Sequence, residues 1–317
     1  MRIVVIGYPS KIKSGGDVFS KRIFDELDQL TPLKKIYGKY YPSNPIRYWS
    51  GALMESIQAL LAFPQIIILQ GTIEAQILTS AFMPLAKRIM IVHHLEKRSS
   101  LHSEYQGFIW REYIRALERA DLIITVSESS KGELLKETRA NREKIKVIRP
   151  GLDTFKLPSV KKDIDFLIMG RAGKFLRLAE IIQEIKREKG DATICMIGPV
   201  NPKCPLLNYL GFVNEEEKLN LMARAKVVLH PSAHEGYSLT LAESIMAGLP
   251  VVAWALPVFK ELYANAEGVK LIENDDILAF AEMAIKLLGH QGEAKFPTRT
   301  WREAALEVYD ILTQLGH

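Results

Sequence analysis

Glu235 and Glu243 stand with seven residues between them in the run His230-Pro-Ser-Ala-His-Glu-Gly-Tyr-Ser-Leu-Thr-Leu-Ala-Glu243. Val227 to Leu229 reads as a buried strand, Leu239 to Ala247 as a helix stopped by Gly248-Leu-Pro250, and Val251 to Trp254 as the next strand. Both carboxylates therefore flank a strand-to-helix turn, where an α/β sheet binds its ligand. The first turn of such a helix offers unpaired backbone N–H groups and the positive end of its dipole, which suit a diphosphate. Carboxylates beside it accept hydrogen bonds from sugar hydroxyls, and a phosphate with a polyol implies a nucleotide sugar. A plainer reading stays open: Thr240-Leu-Ala-Glu243 fits a capping box, and Glu235 fits a solvated turn residue.

Three other clusters could join that chemistry. In Phe166-Leu-Ile-Met-Gly170-Arg171-Ala-Gly173-Lys174 a strand ends on a Gly-Arg pair, and Lys174 is expected to open a helix. Arginine supplies a forked, permanent cation and lysine a mobile one, a pair able to neutralise a diphosphate, although a surface salt bridge or a helix-start contact is the alternative. After the first strand comes Pro9-Ser-Lys-Ile-Lys-Ser-Gly15-Gly16-Asp17 and then a helix; the glycines would let backbone approach a phosphate or sugar, as they would in a simple turn. The run G-x-G-x-x-G of a dinucleotide fingerprint is absent. Ile91-Val-His93-His94-Leu-Glu96 ends the fourth strand, and no third ligand at a recognisable spacing turns this histidine pair into a metal site.

These segments need a scaffold, and the chain supplies one. Its 317 residues exceed one core and suit two domains of about 150 residues each. Short apolar runs alternate with helical stretches, the pattern of parallel sheets built from βαβ units. Six strands are expected in the first half: Arg2 to Gly7, Leu33 to Tyr37, Gln65 to Leu69, Arg88 to His93, Leu122 to Val126 and Lys146 to Ile148. Six more follow the linker: Asp165 to Met169, Ala192 to Ile197, Tyr209 to Phe212, Val227 to Leu229, Val251 to Trp254 and Val269 to Ile272. A last helix covers about Thr300 to Leu315. Cys195 and Cys204 sit at no metal spacing, which suggests free thiols in a reducing cytoplasm, with a disulfide the lesser alternative. No signal pattern opens the sequence, and the longest apolar stretches fall short of the roughly 20 residues that cross a bilayer.

The run E-G-Y-S-L-T-L-A-E-S-I-M-A-G-L-P-V-V-A resembles the hallmark of glycosyltransferase family 4, E-G-F-G-L-x-x-x-E-A-M-A-x-G-x-P-V-V-A. The resemblance extends with lower specificity along almost the whole chain. It implies an α/β GT-B fold, two Rossmann-like doubly wound domains facing a central cleft: an acceptor-side domain over 1–152, a nucleotide-sugar domain over 153–298, and a C-terminal helix over 299–317 that packs back on the first. It also implies a retaining transfer from a nucleotide diphosphate sugar to an acceptor hydroxyl, with neither cofactor nor metal. In that reading Glu235 contacts the donor sugar, Glu243 the nucleotide ribose, and Arg171 and Lys174 the diphosphate. Gly15 and Gly16 face the donor, His93 hydrogen-bonds the transferring sugar, and Gly236, Tyr237, Ser238 and Leu239 complete the donor site.

The chain departs from the family pattern in three places. The loop between Arg171 and Lys174 is shorter than usual; Ser238 replaces the second glycine of E-G-F-G; and Pro257-Val258-Phe259-Lys260-Glu261 stands where the family writes a Gly-Gly-x-x-Glu loop. Alternatives to a transferase are a sugar-nucleotide epimerase, a non-catalytic sugar-nucleotide sensor and a nucleic-acid-binding module. The last would use a basic first half: residues 1–150 carry 23 Lys+Arg against 15 Asp+Glu, leaving 19 against 22 in the remainder. No zinc-finger or RNA-binding signature supports it, so no nucleic acid is expected as a partner. The expected partners are a nucleotide sugar and a saccharide or lipid-linked acceptor. Lys39-Tyr-Tyr-Pro42 and Ile46-Arg47-Tyr48-Trp49 beside the apolar stretch Ala52 to Leu61 suggest peripheral attachment to an anionic membrane surface, against the alternative of an ordinary core helix.

Overall fold

A computed structural model of the chain describes residues 2–10, 14–38, 45–83, 85–95, 104–289 and 299–316, with side chains omitted at 45–47. Lys39 to Pro42, the side chains of Ile46 and Arg47, and Glu96 lie outside the described residues. The chain forms two compact units, residues 1–151 with 299–317 and residues 152–298.

In the first unit the elements run β1 (Ile3–Tyr8), α1 (Gly15–Asp28), β2 (Leu33–Tyr37), α2 (Pro45–Leu60), β3 (Ile66–Leu69), α3 (Ile73–Phe82), β4 (Lys87–Val92), α4 (Glu104–Arg119), β5 (Leu122–Thr125), α5 (Glu128–Glu137) and β6 (Ile145–Val147). The strands form one parallel sheet in the order β2-β1-β3-β4-β5-β6. Helices cover both faces of such a sheet, so its central strands are unbroken apolar runs: Ile-Ile-Ile-Leu in β3 and Leu-Ile-Ile-Thr in β5 are buried throughout. The order reverses between β1 and β3, which opens a crevice beyond their C-terminal ends. Gly7 holds that corner: its φ is +74°, and a Cβ there would sit 2.3 Å from the Gln70 carbonyl oxygen.

The second unit runs β7 (Ile164–Met169), α6 (Leu178–Glu188), β8 (Ile194–Ile197), β9 (Asn208–Gly211), α7 (Glu215–Arg224), β10 (Ala225–His230), α8 (Leu239–Met246), β11 (Val251–Trp254), α9 (Pro257–Tyr263), β12 (Val269–Ile272) and α10 (Ile277–Leu287). Its parallel sheet has the order β12-β11-β10-β7-β8-β9, with the reversal between β7 and β10. All twelve strands expected from the sequence are present.

Helix α11 (Trp301–Gly316) belongs to the first unit, where it packs on α1. Thr300 and Glu303 cap it reciprocally: the Glu303 carboxylate accepts from the Thr300 N–H at 2.6 Å, and the Thr300 hydroxyl accepts from the Glu303 N–H at 3.2 Å. Trp301, Ala304, Ala305, Val308 and Leu312 form its buried stripe, and the Trp301 ring meets Phe19 edge-on at 6.2 Å. Among the described residues no helix is long and apolar enough to cross a membrane.

Candidate functional site

The switch point of the second sheet lies between the ends of β7 and β10, and Arg171 and Lys174 follow the first while Glu235 follows the second. Lys174 does not open a helix. It closes a 3-10 turn over Ala172–Lys174, and α6 begins only at Leu178, after Arg177 in a left-handed conformation. The reason is non-local. Leu176 donates its N–H to the Pro231 carbonyl at 2.7 Å, Ala233 donates to the Lys174 carbonyl at 2.8 Å, and the Trp254 indole donates to the Leu176 carbonyl at 3.3 Å. These bonds lace the short segment to the loop after β10 and deny it helical pairing. Arg171 and Lys174 are both exposed.

Glu235 is part of a network built on the end of β10. Its Oε1 accepts from the Ser232 hydroxyl at 3.0 Å and lies 3.7 Å from Nε2 of the buried His230. Burial alone would raise the Glu235 pKa; hydrogen bonding and charge from His230, the charge of Lys174 and the Ser232 hydroxyl outweigh it and hold the carboxyl below its ordinary value. Glu235 is thus an ionised, part-buried carboxylate rather than a solvated turn residue.

Glu243 does not close a capping box. Ser238 is the N-cap of α8, its hydroxyl accepting from the Leu241 N–H at 3.3 Å, while Glu243 Oε2 accepts from Lys218 of α7 at 3.0 Å. Lys218 also pairs with Glu215 at 2.8 Å. Burial raises the Glu243 pKa, and Glu215 and Asp153 add to the rise against the opposing Lys218. Burial first, and then the nearby negative charges, leave this group readier to accept a proton than an exposed glutamate.

Ser238 has φ +70°, in the left-handed region that favours glycine, where the family pattern has one. The serine costs roughly 1–2 kcal/mol there. Its side chain offsets this by capping α8 and by meeting His230 Nε2 at 3.1 Å. Ser238→Ala keeps the strain and loses both contacts, so it should destabilise the protein by about 1 kcal/mol or more. Ser238→Gly loses the contacts but also the strain and should be close to neutral. Urea midpoints of the two variants check this; alanine tolerated as well as glycine would remove the account.

The Pro257–Glu261 segment, expected as a loop, is the first part of helix α9. Proline at the first helical position is preset for the fold and lacks a donor the helix would leave unpaired. From this helix the Tyr263 hydroxyl reaches the Tyr237 carbonyl at 3.3 Å, which ties α9 to the Gly236-Tyr237-Ser238-Leu239 turn. Lys218, His230 and Ser232 complete the site without having been assigned roles from the sequence. His230 stands in the signature run, but Lys218 carries no local signal, since only the folded second unit brings it from α7 to Glu243, 25 positions on.

In the first unit the corresponding crevice holds a cavity of about 840 Å³. Gly16 and His93 line it; Gly15 is exposed at the first position of α1 and does not. A Cβ on Gly16 would sit 3.1 Å from His93 Cδ2, so the glycine lets the imidazole lie against the first turn of α1. The ring also meets Phe19 edge-on at 5.0 Å. Burial pushes the His93 pKa down to about 4, so the ring is neutral at pH 7 and serves as a hydrogen-bonding group rather than a cation. Among the described residues no three His, Cys, Asp or Glu side chains gather as a metal ligand set. Cys195 is buried, Cys204 is half-buried, and both are free thiols.

Two family profiles match consecutive parts of the chain: Glycosyltransferase Family 4 over residues 17–156 and Glycosyl transferases group 1 over residues 156–290. The chain belongs to glycosyltransferase family 4. A curated relative, MMP alpha-(1->4)-mannosyltransferase of Mycolicibacterium hassiacum, is 23% identical over 230 residues, which cover 67% of this chain and 56% of the relative. The chain thus spans about half the length of the curated relatives it matches. Among solved structures, HepE of Anabaena in complex with UDP and glucose aligns with a TM-score of 0.73 at 15% identity, covering 99% of both chains. WaaG, a glycosyltransferase involved in lipopolysaccharide biosynthesis, aligns with a TM-score of 0.71 at 15% identity, over 97% of this chain and 95% of WaaG. At these identities the likeness establishes the fold of this family 4 member, GT-B.

Proposed function

We propose that the protein is a retaining glycosyltransferase that moves a sugar from a nucleotide diphosphate sugar to an acceptor hydroxyl. The observation that carries the reading is the gathering of Arg171, Lys174, Glu235 and the start of α8 around the switch point of the second sheet, with Glu243 further along α8. Arg171, Lys174 and the N-terminal turn of α8 take the diphosphate, whose charge grows as the bond from the sugar's anomeric carbon to phosphate oxygen breaks. The acceptor oxygen forms its bond to the same face of that carbon, and its proton passes to the leaving diphosphate. Glu243 accepts from the ribose and Glu235 from the donor sugar. The first unit is the acceptor side, and there Gly16 and the neutral His93 line the cavity. No metal is required, because the cations and the helix dipole supply the positive charge.

HepE was solved with UDP, and uridine diphosphate sugars are therefore the first donors to test. Donor consumption measured with and without saccharide acceptors decides the reading. Transfer raised by an acceptor supports it; conversion of the donor sugar without any acceptor would make the protein an epimerase, and binding without turnover a sensor.

A lipid-linked acceptor at a membrane surface fits the outer face of α2. Leu53, Met54, Ile57 and Leu60 are exposed along the helix, Leu61 and Phe63 follow it, and Leu85 just beyond α3 is 98% exposed. The only charged residue from Tyr48 to Pro64 is Glu55, which is buried. A run of exposed apolar side chains of this kind in the more basic half of the chain suits an anionic bilayer. Liposomes of rising anionic content should retain the protein increasingly in co-sedimentation. If neither anionic nor neutral vesicles retain it at low ionic strength, the acceptor is to be sought among soluble saccharides.

A further inference from the structure

Strand β10 lies between β7 and β11 and ends on a histidine. His230 is 2% exposed, and its ring centroid lies 6.1 Å from that of Phe175 and 5.6 Å from that of Phe259. An imidazole in such surroundings costs free energy unless its nitrogens find partners. One of them does: Nε2 lies 3.1 Å from the Ser238 hydroxyl oxygen and 3.7 Å from Glu235 Oε1. The other, Nδ1, is buried with no hydrogen-bond partner among the described residues.

This asymmetry decides where the ring carries its proton. A proton on Nδ1 would bury an N–H that nothing accepts, and would turn the bare lone pair of Nε2 toward the Glu235 carboxylate. A proton on Nε2 leaves Nδ1 as an unused acceptor, the more readily tolerated of the two defects, and aims the N–H at two oxygens. The Ser238 hydroxyl oxygen then accepts twice, from His230 Nε2 and from the Leu241 N–H, which ties the ring to the first turn of α8. Glu235 Oε1 faces the same N–H and accepts from the Ser232 hydroxyl at 3.0 Å.

We propose that His230 is a positioning residue of the donor site, its Nε2–H holding the Glu235 carboxylate beside the capped start of α8. This rests on the transferase reading above, in which Glu235 meets the donor sugar. The buried ring does not touch substrate, so its effect passes through Glu235. Burial works to raise the Glu235 pKa, and His230 is foremost among the groups that lower it, in keeping with that geometry. A carboxylate that must meet the sugar in one orientation loses rate when its support is removed, even where the nucleotide still binds.

Two readouts test the role. In long-range ¹H–¹⁵N spectra of histidine-labelled protein, the His230 resonances, identified by their loss in His230→Gln, should show Nε2 protonated and Nδ1 bare. A proton on Nδ1 overturns the assignment. In saturation kinetics with an active donor, His230→Met should lower kcat about tenfold, with donor KM and uridine diphosphate affinity within about twofold of wild type. His230→Gln has the same chain length with an amide N–H at its end, and should recover most of that loss. In a Glu235→Ala background His230→Met should cost less than about twofold more, whereas in a Ser238→Gly background the loss should persist. A loss that survives Glu235→Ala, or that disappears in Ser238→Gly, would place the action of the ring on the helix cap and overturn the proposal. So would a parallel fall of kcat, melting temperature and uridine diphosphate binding in His230→Met that His230→Gln shares. Should His230→Met not fold, His230→Asn, whose shorter side chain stops short of both oxygens, takes its place with the same expected losses. A wild type that turns over no donor counts against the transferase reading instead, while the position of the ring proton is read without any turnover.

Discussion

Glu243→Gln should weaken the binding of uridine diphosphate by roughly 1–3 kcal/mol, whereas Glu235→Gln should leave that binding in place and depress turnover. The two carboxylates occupy different surroundings. Glu243 lies on α8 with Oε2 engaged by Lys218, so in the proposed site Oε1 is the oxygen left for a ribose hydroxyl. Glu235 lies in the loop before α8, beside His230, Ser232 and the charge of Lys174, where the donor sugar is expected. Glutamine keeps the shape and removes the charge, so the loss reports the charged hydrogen bond rather than a cavity. The pH dependence carries a sign of its own. Burial raises the Glu243 pKa, so acidification neutralises this acceptor before an exposed glutamate would protonate. Nucleotide binding should therefore weaken as pH falls, at a higher pH than protonation of an exposed glutamate would require, and the dependence should flatten in Glu243→Gln. Isothermal calorimetry with uridine diphosphate measures both effects, and equal binding losses in the two variants would sink the division of roles.

Arg171→Ala should lower kcat/KM about 10²- to 10³-fold, the usual effect of removing one donor aimed at developing charge. Lys174→Ala should cost less. The arginine provides a bidentate fork for two phosphate oxygens, while lysine is a single mobile charge. The loop itself should survive either change, because it is held through the backbone of Lys174, Leu176, Pro231 and Ala233. Arg171→Lys should restore part of the loss by returning charge without the fork. Saturation kinetics with a donor and an active acceptor provide the measure. An Arg171→Ala variant of unchanged kcat/KM would take this residue out of the diphosphate site.

The family and the fold were legible in local sequence because the signals behind them are local. A strand buried on both faces must be apolar along its whole length, so Ile66 to Leu69, Leu122 to Thr125 and Val251 to Trp254 announce themselves whatever surrounds them. Gly248 marks the end of α8 for a similar reason: its φ is +73°, a conformation that suits glycine, and the helix stops there. The spacing of Glu235 and Glu243 likewise needs only a strand, a turn and a helix in succession.

What the tertiary structure decided involves residues far apart in the chain. Lys174 reads locally as a helix opener, yet bonds to the loop after β10, nearly sixty positions on, hold it in a 3-10 turn. Glu243 reads as half of a capping box, yet Lys218 on α7 takes its carboxylate and Ser238 caps the helix instead. The serine that breaks the family pattern is accommodated because His230 and the Leu241 N–H lie within reach of its hydroxyl. Gln76 is an unremarkable polar residue in sequence; only the packing of α3 in the folded unit buries its amide. Backbone periodicity follows from which residues are apolar, whereas the partner of a polar atom depends on sheet order and helix packing, which only the folded chain specifies.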